Sequence, residues 1–199
     1  MENLKPNQRT IERFLNELMR DWNDRETLEV RCISENLQPH VSRFAQHATQ
    51  EAIKHIVAMN RTHNVYACAN PVPDIVQGSA KDADIRRAFY AFVDGDEKGA
   101  ADRAREFDWF DKAMEVVTGV QPYFRNHIYF RFTRPMEDMR QWTELQKLLI
   151  AELKTDKVIH NPSRIMRIAG TVTHPPKKKR ELGYTSEVTK LIIGGQYVE

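Results

Sequence analysis

The strongest strand signal in this chain lies in residues 88–96, AFYAFVDGD. A run of apolar residues bounded by turn-forming residues indicates a buried strand. This strand ends in Asp94, Gly95 and Asp96, and residues two apart on a strand point to the same side of its sheet. We therefore expect the two carboxylates to converge on one point, where Gly95 allows the backbone to come close.

Two convergent carboxylates repel each other, so Asp94 and Asp96 need a cation or a shared proton between them. Mg²⁺ is often held by one or two carboxylates together with substrate phosphates, which suits this pair. The alternative is a polar turn after the strand, because Asp-Gly is a common turn dipeptide. A calcium loop is excluded, since Lys98 and Arg105 stand where that motif needs oxygen ligands.

The segments on either side of this strand mix helices and strands without a strict alternation. Hydrophobic spacing predicts helices over 8–22, 42–60, 99–118 and 138–153, and strands over 27–33, 64–69, 127–132, 163–172 and 190–193. Such a mixture favours an α+β fold, with an antiparallel or mixed sheet and helices packed on one side. The order strand–helix–strand–helix–strand over 88–172 suits an RRM-like palm.

Composition places the chain among ordinary globular proteins. It has 199 residues, 41% of them hydrophobic and 29% charged, with a formal net charge of only +2. Any nucleic-acid-binding surface must therefore be local. Cys32 and Cys68 form no metal-binding pair, and we expect both to be buried thiols in a reducing compartment. No membrane span or signal peptide is expected, so the predicted location is cytoplasmic.

Several well-known nucleotide and hydrolase motifs are missing from the sequence. It contains no GxxxxGK[ST] phosphate loop, no GxGxxG and no GxSxG. A P-loop ATPase and a typical α/β-hydrolase are thereby excluded.

Basic residues gather after residue 160. Residues 160–180 carry six Lys or Arg and no acidic residue, whereas residues 94–115 carry eight Asp or Glu against four Lys or Arg. Arg164 and Arg167, three apart, could clamp a triphosphate if a rigid element holds both. The run Lys177, Lys178, Lys179 and Arg180 is expected to be a solvated loop, with contact to a phosphate backbone as the alternative.

His127 is the first residue of the predicted strand 127–132 and follows Arg125 and Asn126. A histidine at the start of a strand could face a phosphate oxygen, with Arg125 adding positive charge. The alternative is a half-buried or surface histidine without a function.

The order of these features resembles the archaeo-eukaryotic primase superfamily, and within it the primase-polymerase catalytic domains of phages, plasmids and mobile elements. AFYAFVDGD is similar to the first family motif, an apolar strand followed by Asp-x-Asp. Arg125-Asn126-His127 resembles the second, and Asp156 resembles the third, a lone aspartate after a helix. NPSRIMRIAGT (161–171) is similar to the family's Arg-x-x-Arg-apolar-Pro-Gly-Thr, although Ala169 replaces the proline.

Two further segments extend the resemblance, which spans about residues 27–175. VYACANPV (65–72) resembles the family strand that ends in Asn-Pro, and TLEVRCI (27–33) resembles its opening strand. The chain departs from the family at Arg125, where Ser or Gly is usual, and at Thr173, where Asn is common.

The resemblance implies a single primase-polymerase catalytic domain over 1–199, with an N-terminal α/β subdomain (1–85) and an RRM-like catalytic subdomain (86–199). It implies that Asp94, Asp96 and Asp156 bind two Mg²⁺ or Mn²⁺ ions. It further implies that His127, Arg164, Arg167 and Arg125 bind the nucleotide. Lys177, Lys178, Lys179 and Arg180 become candidates for contact with nucleic acid.

The implied activity is DNA-dependent nucleotidyl transfer that makes and extends primers on single-stranded DNA from NTPs or dNTPs. A monomer that works beside a replicative helicase is the implied setting, in a bacterial, phage or plasmid replicon. Three alternatives remain open: an inactive nucleic-acid-binding replication module, a metal-dependent nuclease, and a plain α+β interaction domain.

Overall fold

Two antiparallel sheets share one hydrophobic core in this protein. The computed structural model describes residues 4–35 and 39–198. The strands are β1 (Glu26–Ile33), β2 (His40–Ala45), β3 (Asn64–Cys68), β4 (Val72–Pro73), β5 (Ala88–Asp94), β6 (Met114–Gly119), β7 (Arg125–Met136), β8 (Ile165–Arg167), β9 (Lys190–Ile193) and β10 (Gln196–Val198). The α-helices are α1 (Gln8–Leu18), α2 (Thr49–Met59), α3 (Ala100–Arg105), α4 (Met139–Leu153) and α5 (Lys177–Glu181), and single 3₁₀ turns lie at Asp82–Asp84 and Phe110–Lys112.

The strand order separates the sheets. In the first sheet the order is β2-β1-β3-β8, and β4 also pairs with β1; in the second it is β10-β9-β6-β7-β5. The succession β5-α3-β6-β7-α4, with β7 between β5 and β6, is the arrangement of an RRM-like palm. The predicted α+β fold is confirmed. β8 pairs with β3 although it comes from the predicted second subdomain, and the division between residues 85 and 86 stays a prediction.

Two predicted helices are wrong, each because an apparent helical stripe runs across two elements. The helix expected over 42–60 begins only at Thr49, and Phe44 lies in β2, paired with Leu28. The helix expected over 99–118 ends at Arg105, and the β-branched segment at 116–118 belongs to β6. There β6 is paired on both sides, by β7 and by β9, and this pairing outweighs the helical spacing of the apolar residues before it.

The strand β5 lies at the edge of the second sheet, and α4 satisfies its outer backbone groups. Trp142 donates its indole N–H to the Tyr90 carbonyl at 2.9 Å. The amide of Gln146, fully buried, accepts from the Phe92 N–H at 3.2 Å and donates to the Phe92 carbonyl. These side chains take the place of a neighbouring strand, so β5 stays rigid up to Asp94.

The core joins the two sheets through α1 and the aromatic residues of β5 and β7. Tyr129 packs edge-on against Phe14 of α1 and against Tyr90. The two cysteines are buried free thiols, as predicted, and burial raises the pKa of Cys32 to about 11 and that of Cys68 to about 12. Among the described residues, no helix is long and apolar enough to cross a bilayer.

The segment after β8 differs from its prediction as well. The strand expected over 163–172 is limited to Ile165–Arg167, because the chain turns at Gly170 with a φ of +81°. A β-carbon on Gly170 would lie 2.6 Å from the Asn7 carbonyl, so this turn packs directly on the start of α1. The basic run 177–180 was expected as a loop, but it forms α5.

Candidate active site

A cleft of about 350 Å³ opens where the two sheets meet, and we call it the central cleft. Both sheets and the segment that contains α5 line it. Its polar side chains include Glu35, Asn64, Tyr66, Asp94, Asp96, Thr118, Arg125, His127, Arg167, Thr173, His174, Lys179, Tyr184 and Thr185. Five of the residues singled out by sequence thus lie in one cleft together with Lys179 of the basic run.

Asp94 and Asp96 both line the central cleft, with side chains 19% and 41% exposed. The glycine between them is sterically required, since a β-carbon there would lie 2.5 Å from Asn126 Oδ1 and 2.9 Å from the Ala101 backbone of α3. The Gly95 N–H donates to the Asn126 carbonyl at 2.8 Å. Close packing at Gly95 therefore fixes where the second carboxylate leaves the strand.

His127 lies directly beside Asp94, because the two residues are register partners in the β5–β7 pair. Its Nε2 is 3.6 Å from Asp94 Oδ2. The backbone N–H of Arg167 approaches Nδ1 at 3.3 Å, so Nδ1 is the acceptor and the ring proton is on Nε2. The imidazole thus presents an N–H donor inside the cleft, next to a carboxylate.

Arg167 is held by two side chains of β3. Its guanidinium donates to Asn64 Oδ1 at 2.7 Å and to the Tyr66 hydroxyl at 2.9 Å, and it lies 4.7 Å from the centre of the Tyr66 ring. Tyr66 and Arg167 are register partners in the β3–β8 pair, so both side chains point to the cleft face. This arrangement presents an oriented cation on the side of the cleft that the first sheet forms.

Arg125 lines the cleft and is 5% exposed. It donates to the backbone carbonyls of Gln121 and Tyr123, and it stacks on Tyr184 at 4.3 Å. Its Nε lies 3.7 Å from Asp96 Oδ1. Arg125 therefore fixes the Tyr123–Tyr184 loops and neutralises one side of Asp96.

The phenols of Tyr123 and Tyr184 form a hydrogen-bonded pair, 2.7 Å between their oxygens. Tyr123 also donates to the Asp96 carbonyl at 2.9 Å. The hydrogen bond to Tyr184, with burial, raises the pKa of Tyr123 to about 12, so the phenol stays neutral beside the carboxylates. The pair thus holds the backbone of Asp96 through its carbonyl.

Lys179 is the one residue of the basic run that lines the central cleft, among the residues the structure describes. Its Nζ lies 3.1 Å from Asp96 Oδ2 and 5.0 Å from the Tyr184 ring. Lys177, Lys178 and Arg180 are exposed on the outer side of α5. Both carboxylate oxygens of Asp96 therefore have a cationic neighbour, Lys179 on one and Arg125 on the other.

Asp156, predicted to bind metal, and Arg164, predicted to bind the nucleotide, also lie outside the set that lines the cleft. The Asp156 N–H donates to the Asp94 carbonyl at 3.1 Å, but its carboxylate accepts from the Val158 N–H at 3.0 Å. Arg164 donates to the Val158 carbonyl. Residues three apart on a strand face opposite sides, so the segment that directs Arg167 into the cleft directs Arg164 away from it.

Searches with the sequence alone identify no relative, since no family model and no curated protein matches it. The fold, however, matches known structures. The AEP domain of the primase-polymerase (PrimPol) of cyanophage S-2L aligns with a TM-score of 0.60 and 24% identity, over 92% of this chain and 89% of that one. The chain has the archaeo-eukaryotic primase fold.

Two structures of the primase RepB' share the fold, both with a TM-score of 0.58 over 94% of this chain. One is 11% identical and is covered over 57% of its length. The other, the catalytic domain in complex with initiator DNA, is 13% identical and is covered over 87%. The predicted resemblance to the archaeo-eukaryotic primases is thus confirmed at the level of the fold.

Within this primase fold, the donor set of the cleft suits a divalent metal ion. Asp94 and Asp96 supply two carboxylates on one wall, and Mg²⁺ typically adds substrate phosphates and waters to such a pair. No three acidic, histidine or cysteine side chains of residues 4–35 and 39–198 come together as a metal cluster. The role of Asp156 as a third ligand therefore stays a prediction.

Several residues that line the cleft were not predicted from the sequence. Asn64 and Tyr66 carried a usable signal, because polar residues two apart in a half-buried strand must share its solvent side. Tyr184 carried none, since a tyrosine in a polar loop has many possible surroundings. Asn70, of the Asn-Pro element, is structural: it is fully buried and donates to the Pro162 carbonyl at 2.9 Å.

Proposed function

We propose that this chain is a template-dependent nucleotidyltransferase, a DNA primase-polymerase catalytic domain that makes primers and extends them on single-stranded DNA. The observation that carries the proposal is the meeting of Asp94, Asp96, His127, Arg167 and Lys179 in one cleft. Carboxylates on one wall and cations on the other are what transfer of a nucleotide from its triphosphate requires. The shared fold with the S-2L primase-polymerase domain supports the same conclusion.

In this proposal the carboxylates of the cleft bind metal ions, and its cationic and N–H donor groups bind the triphosphate. Asp94 and Asp96 would hold the divalent ions, which would supply positive charge to stabilise the phosphates during the transfer. His127 donates a hydrogen bond from its Nε2–H to one phosphate oxygen, and Arg167 binds a second phosphate oxygen. Because Asn64 and Tyr66 fix the guanidinium beforehand, little side-chain entropy is lost when the triphosphate binds.

Lys179 and Arg125 have a second task in the same proposal. They balance the charge of Asp96 before substrate arrives, and Lys179, on a flexible side chain that is 45% exposed, turns to the triphosphate afterwards. The reaction forms a bond from a 3′-oxygen to the α-phosphorus and breaks the bond from that phosphorus to pyrophosphate. Lys177, Lys178 and Arg180 are proposed to contact the nucleic acid from α5.

The proposed template is DNA. A RepB' catalytic domain has been determined with initiator DNA, which supports a DNA partner for a chain with the same fold. The basic α5 borders the central cleft, so a strand bound there would lie next to the carboxylates.

The proposal is tested by primer synthesis with labelled nucleotides on unprimed and primed single strands, with Mg²⁺ and with Mn²⁺. We expect labelled products from the wild-type chain and none from Asp94→Ala, with the circular dichroism spectrum of the variant unchanged. Full synthesis by Asp94→Ala would refute the assignment. Degradation of DNA in the absence of nucleotides would instead identify a nuclease.

A further inference from the structure

A second groove, of about 610 Å³, lies between α3, the second half of α4 and the turn that follows it. We call it the α3–α4 groove. Its lining consists of Glu97, Arg103, Lys147, Ile150, Ala151, Lys154, Thr155 and Lys157. Four of these eight residues are cationic and one is acidic, in a chain whose total charge is only +2.

Two of the four cations belong to α4 and its end. Lys147 lies within the helix, and Lys154 follows its last residue with a left-handed backbone at a φ of 50°. Ile150 and Ala151 line the groove with them. Arg103 reaches across from α3 and donates to the Lys154 carbonyl at 2.9 Å, which fixes the opposite wall.

The four cations are available for a ligand. Arg103, Lys147, Lys154 and Lys157 are all exposed, and none forms an ion pair within 4.0 Å with any residue the structure describes. The groove also contains a polar atom with unmet bonding capacity. Thr155 is 3% exposed, and its hydroxyl has no hydrogen-bond partner among the described residues.

The groove adjoins the central cleft through two short connections of the backbone. Glu97 directly follows Asp96, and Thr155 directly precedes Asp156, whose N–H donates to the Asp94 carbonyl. Each carboxylate of the cleft is thus linked to the groove through its own neighbours in the chain.

We propose that the α3–α4 groove binds the sugar–phosphate backbone of the nucleic acid that the central cleft copies. This inference rests on the proposed function and adds a binding surface separate from α5. Four cations without a carboxylate partner among the described residues suit a run of phosphates, each of which carries one negative charge. The groove has no aromatic side chain among its lining residues, so it suits phosphates and does not suit stacked bases.

The test is a binding measurement without nucleotides or metal ions, so that it does not depend on catalysis. The groove variant is Lys147→Gln, Lys154→Gly and Lys157→Gln combined, where glycine suits the backbone φ of 50° at residue 154. The control variant is Lys5→Gln, Lys54→Gln and Lys112→Gln, which removes three exposed lysines elsewhere and has the same net charge. Affinity for a fluorescent single strand and for a primed strand is measured over a series of salt concentrations.

We expect the groove variant to bind at least one of these DNAs about tenfold more weakly, and the control variant to stay within about twofold of wild type. The slope of log affinity against log salt should decrease by about 2 in the groove variant, since each lost phosphate contact removes roughly 0.7 to 0.9. Equal losses in the two variants would overturn the proposal. Displacement of the DNA by polyglutamate of equal charge would likewise overturn it, because the groove would then bind any polyanion.

The DNA-binding test of the groove can succeed or fail independently of the primer-synthesis test of the proposed function. If the wild-type chain synthesises primers and the groove variant keeps its DNA affinity, the groove proposal alone fails. If the wild-type chain makes no product but the groove variant loses DNA affinity, the catalytic proposal fails and the surface stands. Melting curves of both variants confirm that each remains folded.

Discussion

The two sheets meet at the central cleft and contribute opposite charges to it. The second sheet contributes the ends of β5 and β7, and the first sheet contributes the ends of β3 and β8. The second sheet contributes Asp94 and the histidine beside it, and the first sheet contributes Arg167. On the acidic wall the backbone of β5 is what is held: the buried side chains of Trp142 and Gln146 bond to Tyr90 and Phe92, and the amide of residue 156 bonds to the Asp94 carbonyl. The basic wall is set by side chains, through Asn64 and Tyr66.

This difference has a consequence for mutagenesis. The Asp94 carboxylate takes no part in the bonds that hold the β5 backbone, so replacing this side chain leaves those bonds in place and should act mainly on chemistry. A wall built from a side-chain network should lose orientation, and hence affinity, when any member is removed.

The largest expected effect is on the acidic wall. Asp94→Asn keeps the shape of the side chain and removes its charge, so we expect turnover to fall by about 10³-fold or more, while nucleotide affinity changes by less than about tenfold. Single-turnover kinetics and a nucleotide-binding titration separate the two quantities. A large loss of affinity with normal turnover would assign Asp94 to binding instead.

The second effect compares two arginines of one segment. Arg167→Ala should raise the KM for the nucleotide roughly tenfold to a hundredfold, because a charge-assisted hydrogen bond contributes about 1.5–3 kcal/mol. Arg164→Ala, on the opposite face, should leave KM within about twofold. Steady-state kinetics on a primed template measures both, and equal effects would contradict the placement of Arg164 outside the cleft.

The third effect concerns the contact between α5 and the acidic wall. Lys179→Gln removes the cation that lies 3.1 Å from Asp96, so Mn²⁺ should bind up to about fivefold more tightly in the absence of nucleotide. The same change should weaken triphosphate binding. Electron paramagnetic resonance of free Mn²⁺ gives the first quantity and a nucleotide titration gives the second; unchanged metal affinity would show that Lys179 does not compete for Asp96.

The smallest effect concerns His55 of α2, which packs against His40 and Phe44 of the first sheet. Burial lowers the pKa of His55, and the neighbouring His40 lowers it further. As pH falls below about 6.5, the unfolded chain takes up a proton on this residue before the folded chain does, so stability decreases. His55→Gln should reduce the loss between pH 7.5 and 5.5 by a few tenths of a kcal/mol in urea unfolding, given solvent screening. An identical pH dependence in both chains would exclude this contribution.

Prediction from sequence succeeded where a local pattern corresponds to one element. The helices α1 and α4 and the strands β1, β3, β5 and β9 lie close to their expected positions. Prediction failed at Phe44 and Met114, where the helical spacing of apolar residues continued by chance from a helix into a strand. Such spacing does not show where one element ends and the next begins. The roles of the predicted site residues stay predictions. Both arginines were expected to reach the triphosphate, but only Arg167 lines the central cleft, because Arg164 lies three residues away in an extended segment.

Local sequence patterns were enough to predict a buried strand that ends in two carboxylates, because alternation along a strand and the small size of Gly95 are local properties. They also predicted a histidine and a basic segment in a primase-like order. Which cations face those carboxylates depends on how the chain folds. Arg167 enters the cleft and Arg164 does not, and Lys179 contacts Asp96 across 83 residues of sequence. Strand pairing and helix placement set those distances, and they depend on long-range packing that no local pattern encodes.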